Sequence, residues 1–345
     1  MHLKKPICIW LEESVSSTLR TIISSDSTQF YLVDQPDLAE VIIFENDQPR
    51  YVRKTIEYKY YPQKCFVISE TDQPTYFLPA CYASNERGWL SHKRTQTIPY
   101  FISQMAIPNP FIDGNSASQS TQYLYAFRGG STSWVRKRLF KRSNTSIDVR
   151  IEETNHYRHW NHEESYVDQK TVLQQQYADL IKASSFFLCP RGAGVSSIRL
   201  FEVMQAGRTP VIIADKWIPV TGIPWTEFAL QVSEKHLSHI DQLIRLHQHE
   251  AQLRGFKARQ AWLTYCAPDR QAAVLANFIR IIQQNRSSLR EQILTIIFPL
   301  LEVIDYLRSK SRSYLKYCIL NIFALLNREF PYSLNRSLDE QKGKT

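Results

Sequence analysis

A chain of 345 residues that is 43% hydrophobic and 12% aromatic, with only 10 glycines, is too apolar and too varied for a disordered or low-complexity protein. It is long enough for two ordinary α/β cores. Its 42 lysines and arginines exceed 33 aspartates and glutamates, and the resulting charge of +9 favours anionic partners: nucleotide-sugars, acidic glycans, anionic membrane surfaces or nucleic acid.

The amino terminus is basic, but its apolar stretch gives way after a few residues to Glu12 and Glu13. That is too short for a signal peptide or an anchor, so a cytoplasmic protein is expected. Cys8, Cys65, Cys81, Cys189, Cys266 and Cys318 contain no Cys-x-x-Cys pair, and several lie in apolar runs. Buried free thiols are therefore expected rather than disulfides or a metal centre.

Residues 1–112 show short strand-like runs at Ile7 to Leu11, Phe30 to Val33, Val41 to Phe44, Cys65 to Ser69 and Tyr76 to Leu78, separated by polar, turn-rich segments. The alternation predicts a first α/β domain with a parallel sheet. Ligands of such sheets bind beyond the carboxyl ends of the strands, where this chain carries Glu45, Glu70 and Asp72. Glu70 and Asp72 are the candidate general bases, with Glu45 behind them. The competing reading is that acidic residues at strand ends form turns.

Residues 113–120 are polar and read as a linker. A second domain is predicted over 121–285. It opens with a strand from Tyr123 to Phe127, a turn Arg128-Gly129-Gly130 rich in following hydroxyls, and a helix from Trp134 to Phe140. The run Arg136-Lys137-Arg138 reads as a solvated helix face rather than a nucleic-acid patch. His156, His159 and His162 share a spacing of three, but no Cys or Asp falls at ligand spacing beside them, so an exposed loop is expected there. Val172 to Ala183 has helical period and leads into the most informative stretch.

That stretch is Phe186 to Asp215. An apolar run ends in Cys189-Pro190-Arg191-Gly192-Ala193-Gly194. Ser196 and Ser197 then open a segment with Leu200, Val203 and Met204 at helical spacing, closed by Ala206-Gly207, and a second apolar run follows from Pro210 to Ala214. This is strand, glycine loop, helix, strand, the unit of a parallel sheet. Glycine amides and a helix start suit an anion, Arg191 can fork onto phosphate oxygens, and Glu202 lies one turn into the helix where a carboxylate can accept ribose hydroxyls. An ordinary strand-loop-helix with solvated Arg and Glu would show the same spacing.

The order of these pieces resembles the donor-binding half of the exostosin-type glycosyltransferases, family 47. CPRG, then SSIRLFE, a small-residue-Gly step into PVII-D, and Pro224-Trp225 before Phe228 carry the resemblance, which extends over about a third of the chain, from Tyr123 to His239. It implies a GT-B-like fold of two facing Rossmann-like domains. It also implies an inverting transfer of sugar from a nucleoside diphosphate sugar, with UDP favoured, to a hydroxyl of a glycan acceptor. Arg191, Gly192, Gly194, Ser196 and Ser197 would hold the diphosphate, Arg128 and Arg199 would assist, and Glu202 would take the ribose. The chain has no Asp-x-Asp motif, which fits leaving-group stabilisation by fixed cations, with no metal and no cofactor beyond the co-substrate. An epimerase of the same layout, a basic nucleic-acid-binding protein and a non-catalytic glycan-binding relative are the competing readings.

Beyond the central stretch, Trp217 to Trp225 is predicted as a rigid loop, Phe228 to Val232 as a strand, and Leu237 to Ile282 as helix. Residues 286–330 contain two amphipathic blocks, Ile293 to Leu301 and Leu315 to Leu326, each short of the about 20 apolar residues that span a bilayer. They form a helical extension that packs as a bundle or lies on anionic lipid through 287–328. Residues 331–345 read as a disordered tail.

Overall fold

The computed structural model describes residues 5–114, 120–142, 146–154, 164–300, 303 and 307. His156, His159 and His162, the apolar block at Leu315 to Leu326 and the tail 331–345 lie outside the described residues.

The first sheet is built from β1 (Ile7–Leu11), β2 (Phe30–Leu32), β3 (Val41–Phe44), β4 (Cys65–Ser69), β5 (Ala80–Tyr82) and β6 (Thr95–Thr97). Their order is β2-β1-β3-β4-β5-β6, every pair parallel. Helices α1 (Ser17–Ser24), α2 (Pro49–Val52), α3 (Ile56–Tyr60) and α4 (Phe101–Ala106) accompany it. Every residue of β3 and β4 is buried, as expected of strands covered on both faces.

One expectation fails here. Tyr76 to Leu78 is not a strand: Tyr76 has φ +58°, and Arg94 donates to the carbonyls of Tyr76 and Phe77 at 2.8 and 3.1 Å, fixing a loop before β5. Strand β6 was invisible because its residues are Thr-Gln-Thr. Its buried hydroxyls are served by Asn85, which donates to Thr97 and accepts from Thr95.

The second sheet contains β7 (Tyr123–Gly129), β8 (Val149–Glu153), β9 (Ser184–Pro190), β10 (Thr209–Ile213) and β11 (Leu230–Gln231), in the order β11-β10-β9-β7-β8 and again parallel throughout. Its helices are α5 (Trp134–Phe140), α6 (Glu164–Lys182), α7 (Ile198–Gln205), α8 (Trp225–Phe228), α9 (Ile240–Leu246) and α10 (Ala251–Tyr265). Strand β8 escaped prediction because it is an edge strand in which only Val149 and Ile151 are buried. The loop expected from Trp217 to Trp225 leads into the helical turn α8, and the strand expected from Phe228 to Val232 shortens to β11. The long helix expected from Leu237 to Ile282 is broken at Gln248–Glu250 and Pro268–Arg270.

The second break matters. At Pro268 the chain leaves the second sheet, and α11 (Gln271–Asn285) packs against α1, β5 and β6 of the first. Arg280 donates to Gln29 and to the Lys5 carbonyl, and Arg286 donates to the carbonyls of Gln63 and Pro62, which pins the helix there. The chain therefore passes between the sheets twice. One apolar core runs through both, containing Ile9, Ile43 and Ile68 of the first sheet with Phe187, Phe201 and Ile279, while a separate cluster around Phe127, Val135 and Ile213 fills the other face of the second sheet.

The described residues from Ser287 onward belong to a separate unit, helical over 288–300. Leu289, Ile293, Ile296, Leu300, Val303 and Leu307 recur there at alternating steps of four and three and are all exposed. Among the described residues no helix is long and apolar enough to cross a membrane.

Candidate active site

The glycine loop begins where β9 stops. The Arg191 amide donates to the Ile213 carbonyl of β10 (3.0 Å), and the Gly192 amide reaches the Ser196 carbonyl (3.1 Å), folding residues 192–196 into a closed turn before Ser197, which precedes α7 without a side-chain capping bond. Gly207, at φ +73°, ends that helix, a conformation that favours glycine. Neither Gly192 nor Gly194 adopts a positive φ. Gly194 is needed for space: a Cβ there would sit 2.5 Å from Ser84 Oγ and 2.7 Å from Asp72 Oδ1, both on the first sheet's side of the cleft.

Beneath the loop lies Arg136, only 5% exposed. Its guanidinium donates to the carbonyls of Arg191 (3.1 Å), Pro190 (3.2 Å) and Gly130 (3.4 Å), and Ser133 Oγ donates to Arg191 as well. The expectation of a solvated face from 136 to 138 is corrected at this residue. Burial, and then the charge of Arg199, push the Arg136 pKa down to about 9. Arg199 donates from Nε to the Arg128 carbonyl (2.8 Å), and its guanidinium lies over the rings of Phe127 and Tyr177. Among the described residues neither Arg136 nor Arg199 has a carboxylate at ion-pair distance.

Arg191 and Arg128 are already engaged. Arg191 pairs through Nε with the buried Glu234 (2.9 Å), which also accepts from the Asp215 amide, and its guanidinium lies 6.0 Å from the ring centre of Trp134. Arg128 pairs with Glu152 (3.2 Å) and donates to Gln176 (2.6 Å). Ser197 Oγ is buried without a hydrogen-bond partner among the described residues, and Ser196 lies beside the Tyr100 hydroxyl. Burial, opposed by Arg199 and by the Tyr177 hydroxyl that donates to it (2.8 Å), raises the Glu202 pKa. Glu202 opens onto a cavity whose lining includes Ile198 and Gln205 but, among the described residues, neither Arg191 nor the glycine loop.

The first sheet's carboxylates separate clearly. Glu45 accepts from the Ser16 amide at the start of α1. Glu70 accepts from the amides of Ile102 (2.6 Å) and Ser103 (2.8 Å) and from the Ser103 hydroxyl, capping α4. Burial outweighs these bonds and raises its pKa to about 7. Only Asp72 reaches across the cleft, where its carboxyl accepts from the Gly194 amide. Burial raises its pKa, with that amide and Arg136 opposing.

Several of these groups were not foreseen. Arg136, Tyr100, Ser84, Tyr177 and Glu234 carry no local signal, since each comes to the loop from a distant segment. Trp134, 44% exposed between Arg191 and Arg138, was visible only as a helix start.

Two parallel α/β sheets, with a glycine loop of one facing a carboxylate of the other and a final helix crossing back, define a protein of the GT-B layout. The Exostosin GT47 domain matches residues 69–246, just over half of the chain, and the chain belongs to that family of glycosyltransferases. It is 27% identical to Exostosin-1 of Drosophila melanogaster over 169 residues, 45% of this chain and 22% of that protein. It is 29% identical to the Exostosin-1 homolog of Caenorhabditis elegans over 136 residues, 36% of this chain and 35% of that protein. The matches thus span about a fifth to a third of the length of these relatives. Among solved structures it is similar to a glycosyltransferase from Rickettsia africae ESF-5, with a TM-score of 0.42 at 10% identity, over 81% of this chain and 90% of that one. It is also similar to TarM, with a TM-score of 0.40 at 10% identity, over 70% and 54%.

Proposed function

We propose that this chain transfers a sugar, with inversion, from a nucleoside diphosphate sugar of the UDP class to a hydroxyl of a glycan acceptor. The observation that carries the reading is the pair Arg136, buried beneath the glycine loop, and Arg199, half-buried beneath the neighbouring Arg128-Gly129 strand end, neither of which has a carboxylate at ion-pair distance among the described residues. Buried charge is normally neutralised, and a diphosphate at the loop would supply the missing counter-charge. The Ser196 and Ser197 hydroxyls and the amides that begin α7 would complete the grip, since the Gly192 and Gly194 amides already donate to the Ser196 carbonyl and the Asp72 carboxyl. Arg191, held by Glu234, shapes the loop and adds charge at its first turn, Arg128 fixes the neighbouring strand end, and Glu202 takes the ribose hydroxyls.

When the bond from the anomeric carbon to the phosphate oxygen breaks, negative charge grows on the diphosphate, and these fixed cations and amides stabilise it in place of a metal. The acceptor hydroxyl attacks from the opposite side and must lose its proton. Asp72, which touches the loop from the facing sheet, is the base in this reading rather than Glu70, whose oxygens are turned into α4. Its raised pKa suits a proton acceptor. The exposed stripe from Leu289 to Leu307 supports peripheral contact with a lipid surface. The free thiols of Cys8, Cys65, Cys81, Cys189 and Cys266 support a reducing, cytoplasmic setting.

Thermal-shift measurements with UDP-, GDP-, dTDP- and CMP-sugars test the donor, since a ligand of the native state raises its midpoint. The expected result is a shift with a UDP-sugar, retained in Asp72→Asn, whose transfer rate falls by about 10²- to 10⁴-fold. If no nucleotide-sugar shifts the midpoint, the reading fails. Wild-type turnover in Asp72→Asn would remove Asp72 as the base.

A further inference from the structure

Trp134 opens α5 and is 44% exposed, whereas Val135 and Leu139 of the same helix are buried in the cluster on the second sheet's other face. A single exposed aromatic is ordinary, but this one is tied to the glycine loop. Ser133, just before it, donates to the Arg191 carbonyl (3.0 Å), and Arg136, two residues after it, donates to the carbonyls of Arg191 and Pro190. The indole is thereby fixed beside the first residue of the loop.

Two guanidiniums steady the ring without hiding it. Arg191 and Arg138 lie 6.0 and 5.7 Å from its centre, near the outer limit of cation–π contact at about 6 Å, and leave much of the ring to solvent. What remains is a flat apolar surface on an anchored helix, open beside the turn read above as the diphosphate site.

The direction in which a donor lies across the loop brings it to this surface. Helices α7 and α5 stand on opposite faces of the second sheet: Leu200 and Phe201 belong to the core shared with the first sheet, Val135 and Leu139 to the separate cluster. The side chains around the loop divide in the same way. Glu202 lies on the α7 side against Tyr177, whereas Arg191 turns to Glu234, which is followed by Leu237 and Ile240 of the α5 cluster. A donor held by its ribose at Glu202 and by its diphosphate at the loop therefore runs from the α7 face towards the α5 face. Its third part, the sugar, emerges where Trp134 stands. The anomeric carbon stays at the loop, which Asp72 touches from the facing sheet, and the far carbons reach the indole.

We propose that Trp134 is the platform on which the donor's sugar ring rests, and thus a specificity-determining residue of the transfer. This rests on the donor reading above and adds the part of the site that meets the sugar. A pyranose carries C–H groups on its faces and hydroxyls around its rim, so the indole takes an apolar face from water while the rim stays solvated. A sugar whose configuration turns a hydroxyl onto that face puts a polar group against the ring and binds less well.

The test is isothermal titration of the full chain with UDP, UDP-glucose, UDP-N-acetylglucosamine and UDP-xylose. Trp134→Ala removes the platform and should raise the Kd of at least one UDP-sugar about tenfold, while the Kd of UDP changes by less than about twofold. Trp134→Phe keeps a flat apolar face and should recover most of that loss. The proposal is overturned if Trp134→Ala leaves the ratio of UDP-sugar to UDP affinity unchanged for every sugar, whether both affinities hold or both fall together. A wild type that binds none of these nucleotides sinks the donor reading and this proposal with it. Binding by the wild type with an unchanged ratio in the variant sinks this one alone.

Discussion

At the scale of single residues, charge pairing decides what each group is free to do. Arg191 and Glu234 are largely buried against each other, with 18% and 8% of their side chains exposed. Removing one partner strands the other, so Arg191→Ala should lower unfolding free energy by about 3 kcal/mol as well as weaken donor binding. The double variant Arg191→Met with Glu234→Gln should recover stability without recovering the nucleotide-induced shift. Recovery of both would show Arg191 to be purely structural. Glu70 makes a second residue-scale prediction. Its pKa rises from 4.5 to about 7, so the folded state holds the proton more tightly than the unfolded chain does. The stabilisation is complete below pH 4.5 and is lost as pH rises through 7, to the extent of about 3 kcal/mol. Urea unfolding at pH 5 and pH 8 should show that slope in the wild type and a flatter one in Glu70→Gln. Reading the chain alone, Glu45, Glu70 and Asp72 were indistinguishable, because each follows a buried strand. What separates them is which helix start or loop the carboxyl meets, and that depends on residues 29 to 33 positions away or on the other sheet.

At the scale of elements, the unit β9, glycine loop, α7, β10 was legible from residue order. Its apolar runs are fully buried strands, and its helix carries Leu200, Val203 and Met204 on the buried face. The reason for Gly194 was not legible, since it concerns the first sheet. Gly194→Ala would drive a methyl group against Ser84 and Asp72, costing about 1–3 kcal/mol and lowering transfer sharply. Adding Ser84→Ala should return part of the stability but not all, because the Asp72 backbone oxygen lies within 2.9 Å of the same Cβ. An unchanged midpoint in the single variant would mean that the sheets do not approach here in solution. Strands β6 and β8 were missed for opposite reasons. The first is buried but made of hydroxyl and amide side chains, while the second is an edge with a charged outer row.

At the scale of the whole molecule, the two sheets are joined by the segment after α4 and by the return of α11. That helix belongs by sequence to the end of the second domain and by packing to the first. Leu275 and Ile279 are 1% and 0% exposed. Replacing either with Ala should cost about 2–5 kcal/mol, and hydrogen exchange should show protection lost in β5 and β6 before β9 and β10. Equal loss in both sheets would mean that they unfold as one unit.

By itself the sequence determined the class of fold, the strand-loop-helix around Arg191 and the kinship with family 47. All three rest on local pattern, namely apolar period, glycine placement and residue order. Only the tertiary structure decided which carboxylate faces the loop, that Arg136 lies under it rather than in solvent, and that the last helix closes the first sheet. Those outcomes depend on contacts between segments far apart in the chain, where burial and charge pairing, which no local pattern records, choose the partner.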